Sequence, residues 1–214
     1  MNKELKKRIL SSIILLPITL YFIIKGSFLF NFFILICFFI SVFEWHMMTK
    51  NLLYKIFGLL FLILSFYTIY KIRNDFPNGY NYFLLILLVC VSTDIGGYIF
   101  GNIFKGPKLT KISPKKTYSG MIGGYLFTIL CTNFFLGNSF KSITIELTGD
   151  IFVLIILISS ISQIGDLIVS YFKRLSNIKD SGKIIPGHGG LLDRIDGMIF
   201  AFPFSYLILI NGHY

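Results

Sequence analysis

Carboxylates, cations, a histidine and glycines crowd together in one stretch of the chain, Ser162 to Gly197, which reads SQIGDLIVSYFKRLSNIKDSGKIIPGHGGLLDRIDG. Asp166, Asp193 and Asp196 supply oxygen-only donors, which suit a hard cation such as Mg²⁺ better than zinc, whose usual ligands are His and Cys. Asp193 and Asp196 are three apart, so in a helix they share a face and Arg194 turns elsewhere. The other reading of Asp193-Arg194-Ile195-Asp196 is an interfacial helix cap with a local ion pair. Gln163, Asp166, Ser170 and Lys173 follow at intervals of 3, 4 and 3 and stack on one helical face. Lys173, Arg174, Lys179, Lys183 and Arg194 surround these acids with charge suited to phosphate. Gly187-His188-Gly189-Gly190 after Pro186 implies unusual backbone angles or close main-chain approach to a ligand. Free N–H groups in such a loop bind phosphate oxygens, and His188 offers an acid, a base or a phosphate donor; a plain turn is the competing reading.

A second cluster lies upstream. Thr93-Asp94 is followed by Gly96, Gly97, Tyr98 and Gly101, and then by a basic segment ending Ser113-Pro114-Lys115-Lys116-Thr117-Tyr118-Ser119-Gly120. Asp94, Gly97 and Gly101 share one helical face, so that helix can pack closely or leave room for a ligand. Lys115 and Lys116 suit a phosphate, or else simply record topology and attraction to anionic lipid.

The elements holding these residues are read from composition. The chain has 214 residues, 55% hydrophobic and 14% charged, with net charge +10 and mean hydropathy +0.76. A soluble domain would carry about 25% charged residues. No basic patch interleaved with aromatics marks a nucleic-acid reader. Cys37, Cys90 and Cys131 are isolated in apolar runs and read as small hydrophobes. A membrane-spanning helix needs about 20 residues. The candidates are Ile9–Ile24, Phe28–Met48, Leu52–Ile72, Tyr80–Phe104, Tyr118–Leu136, Ile151–Phe172 and Gly197–Ile210, the last short or beginning nearer Leu191. The first has a basic head like a signal peptide but no small-residue cleavage site, and is read as retained. Asn74 to Gly79 is a turn cluster.

The expectation is an all-α, polytopic membrane bundle of about seven helices. It forms one domain over 1–214, with N-terminal helices in 1–79 and catalytic helices and loops in 80–214. Placing the N-terminus in the cytoplasm puts 16 of the 20 basic residues on that side. Asp94 and Asp166 then stand out as acids within spans, where an ionised carboxylate costs about 2.5–3.5 kcal/mol on insertion scales and marks a functional site by default.

Ser170-Tyr171-Phe172-Lys173-Arg174, Lys179-Asp180-Ser181-Gly182, Pro186-Gly187-His188-Gly189-Gly190 and Asp193-Arg194-Ile195-Asp196 together resemble the signature of phosphatidate cytidylyltransferases (CDP-diacylglycerol synthases). Ser162 to Asp166, Ser113 to Thr117, and Thr93-Asp94 with Tyr98 and Gly101 resemble that family's other motifs. Gly97 departs mildly, standing where alanine is expected. The likeness covers about Ser92 to Gly197.

It implies the reaction of CTP with phosphatidate to give CDP-diacylglycerol and pyrophosphate, in a bacterial cytoplasmic membrane with the site facing the cytoplasm. Asp166, Asp193 and Asp196 would hold Mg²⁺, alone or with a second cation. Lys173, Arg174, Lys179, Lys183 and Arg194 would bind CTP phosphates or pyrophosphate. Lys115, Lys116 and Ser119 would hold the lipid headgroup or a nucleotide phosphate. Gln163, Ser170, Asp180, His188, Gly189 and Gly190 would shape the substrate pocket, and Asp94 would line it or orient a basic partner. A homodimer is common in that family. The rival class is an ion-coupled transporter, whose sites sit near mid-bilayer with few loop motifs. A phosphotransferase acting on another lipid alcohol is a third reading, but its paired-aspartate motif is absent.

Overall fold

The computed structural model of the chain describes residues 13, 17–110, 112–138, 149–187 and 189–211. Its helices are α1 (Ser27–Met48), α2 (Leu52–Asp75), α3 (Gly79–Phe104), α4 (Tyr118–Asn138), α5 (Gly149–Leu175), α6 (Leu192–Ile195) and α7 (Met198–Asn211). Residues 17–25 are also helical; most of the expected Ile9–Ile24 span lies outside the described residues.

Helices α1 to α5 are each long and apolar enough to cross a membrane. Lipid offers no water to their N–H and C=O groups, and a helix pairs these within the segment, which is why the spans form as helices. The protein is a polytopic, helical integral membrane protein. The seventh expected span is shorter than a crossing. Helix α7 has 14 residues, about 21 Å at 1.5 Å per residue, against a hydrocarbon core of about 30 Å. Helix α6 ends at Ile195 and α7 starts at Met198, so Asp196 and Gly197 break the segment in two. An added Cβ on Gly197 would lie 2.3 Å from Ser162 Oγ and 2.9 Å from its carbonyl oxygen, so only glycine lets the chain pass there.

The described residues form two compact units, one within Met1–Tyr70 and Phe172–Ile195, the other within Lys71–Tyr171 and Asp196–Tyr214. In the first, the end of α1 is locked by Trp45. Its Nε1 donates to Tyr54 O at 3.0 Å, its ring meets Phe172 edge-on at 5.1 Å, and Gly58 leaves the space the indole fills.

In the second unit α3 and α4 pack through glycines. A Cβ on Gly96 would lie 2.6 Å from the Phe127 Cβ, one on Gly120 2.7 Å from Gly97 O, and one on Gly123 2.2 Å from the Phe100 Cβ. On the face read from the sequence, an added Cβ would lie 3.6 Å from Gly120 O at Gly97 and 3.5 Å from Gly120 Cα at Gly101, so the tightest fits fall at Gly96, Gly120 and Gly123 instead. Hydroxyls tie α3 to α4 and to α5: Thr93 Oγ1 lies 2.9 Å from Thr128 Oγ1 and 2.8 Å from Ser159 Oγ. Such bonds contribute only about 0.6 kcal/mol each in a membrane bundle, so close packing sets the spacing and the hydroxyls fix the register.

Candidate active site

Two clusters of chemistry-bearing residues emerge, one in each unit. The first surrounds a cavity of about 330 Å³, lined by Thr93, Asp94, Gly97 and Tyr98 of α3, by Leu109 and Ser113 to Thr117 of the following loop (Pro114 excepted), by Gly120 and Met121 of α4, and by Gln163 and Asp166 of α5. The loop is shaped by its backbone. Leu109 N–H donates to Lys116 O at 2.8 Å, and Tyr118 N–H to Pro107 O at 3.1 Å. Thr117 Oγ1 then accepts the Gly120 N–H at 3.1 Å and caps α4. This places Lys116 against Asp166 in an ion pair, each side chain 26% exposed. Ser170 Oγ donates to Asp166 Oδ1 at 3.3 Å from one turn further along α5.

Five residues singled out from the sequence therefore share one cavity: Asp94, Lys115, Lys116, Gln163 and Asp166. The helical face of Gln163, Asp166 and Ser170 is as expected. Gln163 Nε2 is buried without a hydrogen-bond partner among the described residues. Ser119 is not part of the lining. Its hydroxyl meets Thr117 Oγ1 at 2.9 Å and donates to Lys105 O at 3.3 Å, so it braces the loop. Thr117 lines the cavity in its place, two residues back and on another side of the helix start.

The second cluster is the loop after α5. Lys173 is buried and its Nζ donates to Asp193 Oδ1 at 2.9 Å. Asp193 Oδ2 accepts N–H groups of Ser181 at 2.8 Å and Gly190 at 3.0 Å. Gly187 and Gly189 have φ of +79° and +87°, which answers the expectation of unusual backbone there. Gly190 serves a different need. Its Cβ would fall 2.2 Å from Ser181 Oγ and 2.4 Å from Glu44 Oε2, and its N–H is already given to Asp193. Arg174 Nη1 donates to Ile178 O at 3.2 Å and closes the turn out of α5. Lys179, Asp180, Lys183 and Arg194 are exposed. His188 lies outside the described residues.

Glu44 is the residue that sequence reasoning missed. It is 1% exposed, near the end of α1, and its carboxylate accepts hydrogen bonds from Ser181 Oγ and the Leu191 and Leu192 N–H groups. The signal was present: a lone acid inside the Phe28–Met48 run is as costly as Asp94 or Asp166.

Among the described residues no group of three or more His, Cys, Asp or Glu side chains is gathered to hold a metal ion. Asp166 has Lys116 and Ser170 on its oxygens. Asp193 has Lys173 and two amides, and Asp196, which is buried, accepts the Gly197 N–H at 3.0 Å. The described residues thus build no all-protein cage. Oxygen donors in ones and twos still fit Mg²⁺, which typically takes one or two carboxylates and completes its shell with water and substrate phosphates.

Comparison with known proteins agrees with this chemistry. A family model described as "Cytidylyltransferase family" matches residues 51–211. A phosphatidate cytidylyltransferase of Rickettsia bellii is 37% identical over 224 residues, covering 100% of this chain and 93% of that protein. One from Brucella suis is 39% identical, covering 70% of this chain and 54% of its own length, and one from Staphylococcus saprophyticus is 37% identical, covering 69% and 55%. The match takes in helices well upstream of the signature loop, and on that extent the chain belongs to the cytidylyltransferase family.

Proposed function

We propose that this chain is a phosphatidate cytidylyltransferase, transferring the cytidylyl group of CTP to phosphatidate and releasing pyrophosphate. The observation that carries the reading is the cavity in which Lys115, Lys116, Gln163, Asp94 and Asp166 converge. A phosphate oxygen of phosphatidate attacks the α-phosphorus of CTP, and the bond from that phosphorus to the bridging oxygen of the β-phosphate breaks. Both reactants are anions, so the protein's tasks are to neutralise charge and align the two groups. Lys116, Lys115 and the Gln163 amide would face a phosphate entering the cavity. Asp166 holds Lys116 in place until the phosphate arrives. The attacking oxygen is already ionised, so no side chain has to remove a proton, and no covalent enzyme intermediate is required.

Asp166, Asp193 and Asp196 are the residues we assign to Mg²⁺, with a second cation as an option. Bound there, the ion would supply charge neutralisation that screens the repulsion between the two phosphate groups. Lys173, Arg174, Lys179, Lys183 and Arg194 are assigned to the triphosphate side of the reaction.

The site is proposed to face the cytoplasm of a bacterium, in its inner membrane. Support comes from the basic loops, which collect on one side when the spans alternate. A homodimer is the proposed assembly, on the family resemblance alone, and light scattering in detergent reads it. The deciding experiment gives the purified protein phosphatidate and CTP with and without Mg²⁺. Pyrophosphate release requiring all three, with CDP-diacylglycerol as the lipid product, is expected. No product from folded protein overturns the reading and points first to other nucleotides and lipid acceptors.

A further inference from the structure

We propose that Glu44 is a positioning residue for the transfer reaction, setting the Asp193 carboxylate through the loop amides the two acids divide between them; this rests on the function proposed above. Glu44 lies upstream of residues 51–211, which the family model matches. The geometry is reciprocal. Three successive N–H groups split between two carboxylates: Gly190 donates to Asp193 at 3.0 Å, Leu191 to Glu44 Oε1 at 2.9 Å, and Leu192 to Glu44 Oε2 at 2.8 Å. Ser181 splits in the same way. Its N–H goes to Asp193 at 2.8 Å and its hydroxyl to Glu44 at 3.0 Å. The backbone leading into Asp193 is therefore strung between the two carboxylates, and a shift at one shifts the donors of the other.

Two glycines make the approach possible. A Cβ on Gly182 would lie 2.5 Å from Glu44 Oε1, and one on Gly190 2.4 Å from Oε2. The ion pairs found among the described residues leave Glu44 out. Its acceptor capacity goes to the loop, and a buried acid is tolerable only when satisfied in this way. Both oxygens face donors, so the role requires a carboxylate. In Glu44→Gln the amide NH₂ must oppose an N–H or O–H whichever way it turns.

The test compares the full-length protein with Glu44→Gln and, in case that variant folds poorly, with Ser181→Ala, which removes one of the three donors to Glu44. Hydrogen exchange is read at the Leu191 and Leu192 amides, and steady-state rates are read against Mg²⁺, CTP and phosphatidate. For Glu44→Gln the expectation is exchange at those two amides at least tenfold faster. We also expect kcat at least tenfold lower and a several-fold higher Mg²⁺ concentration for half-maximal rate, with the phosphatidate KM unchanged. Ser181→Ala should move the same quantities in the same directions by less. A structural defect alone would lower the amount of active enzyme and leave the Mg²⁺ requirement where it was, which would overturn the proposal. Unchanged exchange at Leu191 and Leu192 would overturn it too. If the unaltered protein makes no CDP-diacylglycerol, the function proposed above fails, and the amide exchange still decides whether Glu44 holds the loop.

Discussion

The two ion pairs, Lys116–Asp166 and Lys173–Asp193, use the same chemistry in opposite ways. The first lines an open cavity, with each side chain about a quarter exposed and only Ser170 in support at 3.3 Å. The second is 11% and 8% exposed, and its carboxylate is pinned by two backbone amides. A pair open to a cavity in this way is cheap to separate, because water and a phosphate can replace each partner. A pair held by amides in a dry loop is costly to separate and fixes its surroundings. On the function proposed above, the first region offers a cation that an incoming anion can draw off its carboxylate, and the second a pre-set carboxylate.

Replacing Asp193 by Asn should produce the largest effect and breaks the comparison at its rigid end. It strands the buried Lys173 and turns an NH₂ toward either that ammonium or the Ser181 and Gly190 amides. Losing one partner of a buried pair costs about 3–5 kcal/mol. Thermal unfolding in detergent should shift down accordingly, and CDP-diacylglycerol formation should vanish. Full activity in purified Asp193→Asn would sink both its structural and its metal-binding assignment.

Lys116→Ala should separate function from stability. The pair lines an open cavity where water reaches both groups, and a solvent-screened pair contributes about 0–1 kcal/mol, so the unfolding transition should barely move. Removing one preorganised cation from a phosphate-transfer site should still cost about 10²–10³ in kcat/KM. Paired assays of rate and melting on Lys116→Ala and Asp193→Asn would sharpen the contrast. A melting loss in Lys116→Ala as large as that in Asp193→Asn would erase it.

The sequence already showed both regions, but not how each is built. The long spans were legible because apolar runs near 20 residues leave the backbone no alternative in lipid. The shared face of Gln163, Asp166 and Ser170 followed from helical periodicity. Partner choice was not legible. Lys116 is 50 residues from Asp166, and nothing local says which of the neighbouring cations reaches it. Ser119 lies off the cavity lining because two residues, a little over half a helical turn, separate its side from that of Thr117, and only the capping bond reveals where the helix begins. Glu44 escaped because hydropathy averages away a single acid among twenty apolar neighbours. Two of its three partners are backbone amides almost 150 residues on, and these carry no residue-type signal.

Glycines give the finest version of the comparison, with smaller effects. Gly190 and Gly97 are both site glycines, yet an added methyl meets opposite surroundings. At Gly190 it would press on Ser181 Oγ and the Glu44 carboxylate at 2.2 and 2.4 Å. Gly190→Ala should therefore destabilise by about 1–3 kcal/mol through overpacking and lower activity with it. At Gly97 the nearest atom to a Cβ is Gly120 O at 3.6 Å, an ordinary contact. The position is helical and lines the cavity, so alanine there recovers helix propensity of up to about 1 kcal/mol relative to glycine and takes only a methyl's volume from the cavity. Gly97→Ala is expected to melt slightly higher and to keep its turnover within about twofold, since surface and lining changes of this size stay within about 0.5 kcal/mol. This also accounts physically for alanine being expected at that place. A large fall in turnover in Gly97→Ala, without loss of stability, would mean that substrate approaches the α3 backbone more closely than a methyl group permits.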